Sequence, residues 1–166
     1  EGQDSKDFKI TVSEITETTA NVLVEPADTT ATYYLTYYPT KSIATMGDDS
    51  LSLVIATEVE FLRQLASAAY GTEFTTTEVL EIVLVKGKQE RALKSMNPGT
   101  DYTILVAKMD FQGVINGKIA KKNFTTKEIV YGQMTFSFEN TGSSVIVTPS
   151  NNYEPWDYAL FTPDQY

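Results

Sequence analysis

Three short strand-like segments open the chain, and no other feature limits its fold as strongly. The segment 8–12 carries an apolar side chain at every second position, and 22–26 shows the same spacing before it ends at a proline. The Tyr-rich segment 33–38 is also followed by a proline. Because successive side chains of a strand point to opposite faces, this spacing is typical of strands with one buried face. The opening of the chain therefore predicts a mainly β fold.

A helical pattern interrupts the strands near residue 49. Asp48-Asp49-Ser50 offers an N-cap with acidic charge in the first turn, and Gly71 stands where a left-handed glycine ends a helix. Between them, apolar residues recur at spacings of three and four: Leu51, Ile55, Val59, Leu62, Ala66 and Ala69. This stripe predicts one long helix with a single buried face.

A second helix is predicted directly after the first, although a strand is the alternative. Thr75 and Glu78 fit a capping box, in which each side chain bonds the backbone of the other residue. The β-branched residues of 79–85 also suit a strand, but a strand would place the charge of Glu81 on an otherwise apolar face. We therefore favour the helix and expect a helical insert at about 49–86.

The order of the opening strands recurs near the end of the chain. Further strands are predicted at 89–93, 102–106 and 119–126, and the recurrence begins near residue 129. The recurring segments are 134–138, similar to 8–12; 145–149, similar to 22–26; and 158–163, similar to 34–39. A fixed order of similar segments indicates a repeated unit. We therefore expect a polar tail at 1–7, a domain at 8–128 and an incomplete repeat at 129–166.

The incomplete repeat has an apolar face and too few strands to bury it. Three strands of this kind need a further layer for stability. We expect that the natural protein continues beyond Tyr166, and the alternatives are that the segment packs on the first domain or pairs with another chain. Because an open strand edge is a template for pairing, self-association through the incomplete repeat is also expected.

Composition excludes several kinds of chemistry. The chain has no Cys and no His, so thiolate nucleophiles, disulfides and imidazole general bases are absent. Its 13 basic and 22 acidic residues give a net charge of −9, which argues against nucleic acid and anionic membrane surfaces as partners. No phosphate loop, dinucleotide fingerprint or nucleophile elbow is present. The sequence therefore predicts a non-catalytic protein without cofactor or metal.

The segment Met96–Tyr102 resembles the corner of fibronectin type III domains. It has an apolar residue, then Pro-Gly-Thr, then a tyrosine six residues after the apolar one. In that family the tyrosine hydroxyl closes back onto the backbone near the preceding turn, and the apolar residue fills the core. The resemblance assigns Met96, Pro98 and Tyr102 to a structural tyrosine corner. The segment 124–126 is also similar to the end of the last strand in such domains.

A closer resemblance is to Bacteroidetes outer-membrane lipoproteins with tandem fibronectin III-like repeats. Their order of Tyr-rich strand, helical insert, Lys-Gly and Pro-Gly-Thr-x-Tyr matches this chain at 86–87 and 98–102. It implies an immunoglobulin/fibronectin III-like β-sandwich with an α-helical insertion, plus a partial second sandwich repeat. It also implies a binding or adhesion module at the cell surface or in the periplasm. Such a module is extracytoplasmic, and its mature chain has lost its signal peptide. Membrane contact is then expected only through a lipid anchor preceding Glu1.

Exposed aromatic residues are the candidate ligand contacts. If Tyr33 and Tyr37 belong to the core, Tyr34 and Tyr38 lie on the outer face of the same strand, and Trp156 belongs to its apparent repeat. Exposed Tyr and Trp rings are favoured at interfaces and stack on sugars. We therefore expect Tyr34, Tyr38 and Trp156 to contact a protein or glycan at the cell surface. The alternative is that these rings only fill a core and satisfy strand propensity.

Two further functions are alternatives to a general binding or adhesion module. A carbohydrate-binding accessory module would use the same exposed Tyr and Trp rings. A glycoside hydrolase would need two carboxylates in one cleft, and the sequence singles out no such pair.

Overall fold

The computed structural model describes residues 6–130, 134–150 and 155–159. The chain forms two compact units, Glu1–Ile129 and Val130–Tyr166. It is mainly β, with antiparallel sheets and a smaller helical part. Within the described residues, no helix is both long and apolar enough to cross a membrane.

The first unit holds seven strands and three helices in its described part. In chain order they are β1 (Phe8–Ser13), β2 (Ala20–Pro26), β3 (Thr32–Pro39), α1 (Thr40–Ile43), α2 (Asp48–Tyr70), α3 (Thr76–Val83), β4 (Val85–Lys86), β5 (Gln89–Leu93), β6 (Asp101–Lys108) and β7 (Ala120–Thr125). One sheet has the strand order β1-β2-β5, and the other has the order β4-β3-β6-β7. All neighbouring strands are antiparallel.

The two sheets of the first unit share one apolar core. Alternate side chains of β1 and β2, such as Ile10 and Val24, meet side chains of the other sheet, such as Leu35 and Ile104. The ring of Tyr33 is fully buried there, and its centroid lies 5.2 Å from that of Phe8 in an edge-on contact. The alternation in the sequence therefore corresponds to strands that bury one face against a second sheet.

The helices cover the opposite face of the four-stranded sheet. Side chains of α2 and α3, including Leu51, Ile55 and Leu80, form a second apolar cluster with Tyr34 of β3 and Leu105 of β6. The central strands β3 and β6 are thus buried on both faces. Strands in that position read as continuous apolar runs, because neither face can be polar without cost. This is why 102–107 shows little alternation.

The ends of α2 differ in part from the sequence prediction. The expected N-cap at Asp48-Asp49-Ser50 is wrong: Gly47 is the N-cap, and Asp48 and Asp49 lie in the first turn, where acidic charge complements the helix dipole. The predicted end is confirmed, because Gly71 has a left-handed backbone with φ of 66° and its N–H donates to the Ser67 carbonyl.

Only the first half of the predicted stripe of α2 is deeply buried. Leu51, Ile55 and Val59 are buried, whereas Ala66 is half-buried and Ala69 is exposed. The 23 residues of the helix span about 35 Å. The longest strands beneath it have 8 residues and span about 26 Å. The helix is therefore longer than the strands that it covers, and its last turns are less buried than its first turns.

The second predicted helix is confirmed as α3. Thr75 is its N-cap, and Thr75 and Glu78 form a reciprocal capping box. The Glu78 N–H donates to Thr75 Oγ1 at 3.2 Å, and the Thr75 N–H donates to Glu78 Oε2 at 2.7 Å. The helices occupy 40–83, an earlier range than the expected 49–86, because α1 follows β3 directly and β4 already begins at Val85.

The second unit contains an antiparallel hairpin of β8 (Phe136–Asn140) and β9 (Val145–Pro149). Phe136 lies opposite Pro149, just as Phe8 lies opposite Pro26 in the first unit. With Pro149 aligned to Pro26, this register aligns Phe136 with Phe8, two residues beyond the Met134 of the expected match; the similarity of 134–138 to 8–12 stays a prediction. The third strand expected at 158–163 is described only at 158 and 159, which are not in a strand; 160–163 lie outside the described residues.

Candidate functional site

An apolar hollow lies on one face of the β8–β9 hairpin. Cross-strand pairing sets Phe138 opposite Val147 and Asn140 opposite Val145. Because alternate residues of a strand share a face, five apolar side chains of the hairpin gather on one side: Phe136, Phe138, Val145, Val147 and Pro149. Ile146 lies on the opposite side. Polar residues, among them Ser137, Glu139 and Thr148, occupy most of the opposite side.

Residues of the segment 155–159 complete the hollow. The Trp156 ring contacts the Phe136 ring edge-on, with the two centroids 5.4 Å apart. Trp156 is 41% exposed, and both Tyr158 and Phe138 are 71% exposed. The hollow has a volume of about 780 Å³, which falls within the usual range of ligand sites. Trp156 is therefore accessible, as expected from the sequence, and its role as a ligand contact stays a prediction.

The hollow is uncharged, and its polar groups cluster at the hairpin turn. Asn140, Ser143 and Ser144 line that end, where Asn140 Oδ1 also accepts a hydrogen bond of 2.8 Å from the Gly142 N–H. The described lining includes no Asp, Glu, Lys or Arg. The wider segment 130–166 has four acidic residues and no basic one. The hollow therefore combines an apolar floor and a small polar end within an acidic unit.

The expected exposure of the other two tyrosines is wrong. Tyr34 is only 3% exposed and Tyr38 is half-buried, because α2 lies over that face of β3 and packs against it. Burial raises the pKa of both phenols. Tyr34 instead lines a small cavity together with Glu58 of α2, and a ligand contact of Tyr34 or Tyr38 stays a prediction. The sequence did contain a signal for this, since an apolar helix stripe must cover a sheet face somewhere.

Glu58 of α2 joins the helix to the tyrosine strand. Its carboxylate accepts hydrogen bonds from Thr36 Oγ1, at 3.0 and 3.1 Å, and from the Tyr38 hydroxyl. A small cavity of about 210 Å³ lies beside it and is also lined by Arg91. The Arg91 Nη1 donates to the Leu35 carbonyl at 3.3 Å. Both charged groups are therefore engaged within the chain, and this cavity is a weaker candidate than the hollow.

The corner residues occupy the first unit's core. Met96 and Tyr102 are buried in the cluster between the sheets, and the Asn97 N–H donates to the Tyr102 hydroxyl at 2.9 Å. Pro98 and Gly99 form the turn, in which Gly99 has a positive φ of 56°. The Tyr102 hydroxyl thus fixes the turn that leads into β6.

The described residues contain no group of three Asp or Glu that could hold a metal ion. Comparison of the chain with protein-family models gave no match, and comparison with curated proteins gave none either. The residues and their geometry are therefore the basis for assigning a function.

Replacing Tyr102 by Phe should lower the free energy of unfolding by about 1 to 3 kcal/mol, because the part-buried Asn97 N–H loses its acceptor. Urea denaturation measures the change. The control is Tyr70→Phe on α2, whose ring is highly exposed and whose substitution should change stability by less than about 0.5 kcal/mol. An equal loss in both variants would contradict a specific role for the Tyr102 hydroxyl.

Stability should fall at alkaline pH through Tyr33. Burial raises the pKa of its phenol to about 12, whereas the unfolded chain titrates near pH ~10. The neutral phenol is favoured in the folded state, so its contribution is complete below about pH 10 and is lost as the pH rises towards 12. The loss should stay below the roughly 2 to 3 kcal/mol of a fully desolvated phenol, because the Tyr33 hydroxyl is only part-buried and solvent screens its charge.

Urea denaturation at a series of pH values tests this effect, with Tyr33→Phe as the comparison. The variant lacks the titrating phenol and the hydrogen bond to the Gly87 carbonyl. It should be less stable at neutral pH and decline less steeply above pH ~10. Parallel declines in the two proteins would refute the assignment to Tyr33.

Proposed function

We propose that the chain is a non-catalytic binding or adhesion module with a fibronectin III-like β-sandwich as its first unit and a partial second sandwich repeat. Three observations support the fold. Sheets of three and four antiparallel strands share one core, the helices lie between β3 and β4 in the chain, and the Tyr102 hydroxyl bonds the turn before β6. This combination fits a fibronectin III-like sandwich with a helical insertion.

The hollow of the second unit is the proposed ligand surface. The observation that carries this proposal is the exposure of Phe138, Val145, Trp156 and Tyr158 around one uncharged depression. Soluble proteins seldom leave such a contiguous apolar patch open without a binding role. The partner is a protein or a glycan at the cell surface. The extracytoplasmic location, with a lipid anchor as the membrane attachment, is supported by the resemblance at 86–87 and 98–102 alone.

A carbohydrate-binding function is the second candidate. The observation in its favour is that the Trp156 and Tyr158 rings lie beside Asn140 and Ser143, which offer hydrogen bonds to sugar hydroxyls. The described lining of the hollow includes no carboxylate, and glycoside hydrolysis uses two. We therefore propose binding without hydrolysis at this surface.

A binding experiment with matched variants tests the proposed surface. The fluorescently labelled chain is applied to washed Bacteroidetes cells, and a panel of soluble oligosaccharides is titrated against the emission of Trp156, the chain's one tryptophan. Phe138→Ser should weaken binding at least tenfold. Leu53→Ser on α2 is the control, because Leu53 is also 71% exposed but lies in the first unit.

Circular dichroism should find both variants folded, since neither side chain is buried. Binding that Phe138→Ser leaves intact would contradict the proposal for the hollow. Binding lost equally in both variants would show that the effect is not specific to that surface.

A further inference from the structure

The small cavity of the first unit brings together two opposite charges. It has a volume of about 210 Å³, and its lining includes Glu58 of α2 and Arg91 of β5. Helix α2 covers the outer face of the four-stranded sheet, whereas β5 belongs to the three-stranded sheet. A carboxylate and a guanidinium group therefore reach one cavity from different layers of the fold.

Neither charge is compensated by another charge. Within the described part of the chain, Glu58 and Arg91 form no ion pair, either with each other or with a third residue. The hydrogen bonds that Glu58 accepts come from the neutral hydroxyls of Thr36 and Tyr38, and Arg91 donates to the Leu35 carbonyl. Such bonds satisfy individual atoms but supply no counter-charge. Because Glu58 is also half-buried, a cationic group beside it would be favourable.

Both groups keep hydrogen-bonding capacity for a ligand. A carboxylate has about four acceptor positions, and among the described residues two hydroxyl groups donate to that of Glu58. The Arg91 guanidinium donates to the Leu35 carbonyl through Nη1 alone, at 3.3 Å. Its other N–H groups have no partner among the described residues. The cavity therefore offers acceptors at one charged group and donors at the other.

The rest of the lining is largely apolar and leaves room for one small molecule. Leu35, Leu62 and Val83 contribute alkyl side chains, and Tyr34 contributes a phenol. Burial raises the pKa of that phenol, so it adds no charge at neutral pH. The volume equals that of about seven water molecules at ~30 Å³ each, and ligand pockets usually begin at roughly 300 Å³. The occupant is therefore a single small molecule with an apolar part.

We propose that this cavity binds a small zwitterion, namely a free amino acid with an aliphatic side chain. Its ammonium group donates to the Glu58 carboxylate, and its carboxylate accepts from the Arg91 guanidinium, a pairing whose planar geometry suits both groups. The aliphatic side chain packs against Leu62 and Val83. The site lies in the first unit and is independent of the hollow in the second unit.

A ligand with a single charge fits this lining less well. A cation beside Glu58 meets the like charge of Arg91, and an anion beside Arg91 meets the like charge of Glu58. Such repulsion costs more in a protein cavity than in water, because the effective dielectric constant is lower there. A neutral ligand leaves both charges without a counter-charge. A molecule that carries both charges compensates both residues at once.

A nuclear magnetic resonance titration of the isotope-labelled chain tests the site. L-Leucine is the probe, added up to about 50 mM, since a ligand of this size should bind in the micromolar to millimolar range. We expect saturable shifts of the amide signals of 34–37, 83 and 91, which belong to the lining. Glycine keeps both charges but lacks the alkyl side chain, so it should bind more weakly.

Two analogues of leucine separate the contributions of its charges. Isocaproate lacks the ammonium group, and isoamylamine lacks the carboxylate. Each should bind about tenfold more weakly than leucine or worse, because it leaves one charged residue uncompensated. An analogue that binds as tightly as leucine would overturn the assignment to a zwitterion. This comparison uses the unchanged chain and does not depend on the folding of any variant.

Two substitutions locate the site. Glu58→Gln keeps an oxygen that accepts hydrogen bonds but removes the charge, and Arg91→Met keeps an extended side chain without the guanidinium. Each should weaken leucine binding about tenfold or more. The matched controls are Glu60→Gln and Arg63→Met, because these residues pair with each other on α2 and do not line the cavity. Both controls should bind leucine as the unchanged chain does.

Three results would overturn the proposal. They are the absence of any saturable shift with leucine, leucine binding that both Glu58→Gln and Arg91→Met leave unchanged, and equal losses in the two control variants. None of them bears on the hollow of the second unit, whose own test depends on Phe138. Failure at one site is therefore distinguishable from failure at the other.

Discussion

The architecture of the first unit depends on burying both faces of the β3–β6 pair. One face packs against the three-stranded sheet, and the other needs an apolar layer that the strands themselves do not supply. The helices between β3 and β4 supply it. Glu58 then fixes their position, because its carboxylate accepts hydrogen bonds from the Thr36 and Tyr38 hydroxyls. Without these bonds the two hydroxyls would be poorly solvated beneath α2. A helical insert that looks like an addition in the sequence is therefore part of the core.

The second unit has the same kind of hairpin without the covering layer. Burial of Ile10 and Val24 stabilises the first unit. In the second unit Phe138 is exposed and Val147 is half-buried, so this hairpin has a surface that can exchange water for a partner. The same pattern of apolar residues on a hairpin thus contributes to stability where a sheet covers it and to the proposed binding where it is exposed. The proposed function depends on that difference and needs neither an ionisable group nor a cofactor.

The sequence predicted local structure better than it predicted what covers each face. Alternation located β1 to β3, and the capping residues at Thr75 and Gly71 located helix ends, because these signals act between near neighbours. Alternation divides the tyrosines of β3 into two faces but says nothing about which face meets solvent. The exposure expected for Tyr34 and Tyr38 failed for that reason. Trp156 was identified as accessible, but its hollow depends on cross-strand register, which similarity between segments does not determine.

Arg91 contacts the edge of strand β3, and strand edges affect whether a chain aggregates in solution. Strand β4 pairs only with Thr32 and Tyr33 of β3, and beyond that point the Arg91 guanidinium holds the Leu35 carbonyl. Unpaired strand edges are where sheets of different molecules join into aggregates. The long cationic side chain of Arg91 hinders such pairing at this edge without adding a strand. Arg91 therefore covers one carbonyl at the edge of β3 from outside the sheet, and it belongs to neither apolar cluster.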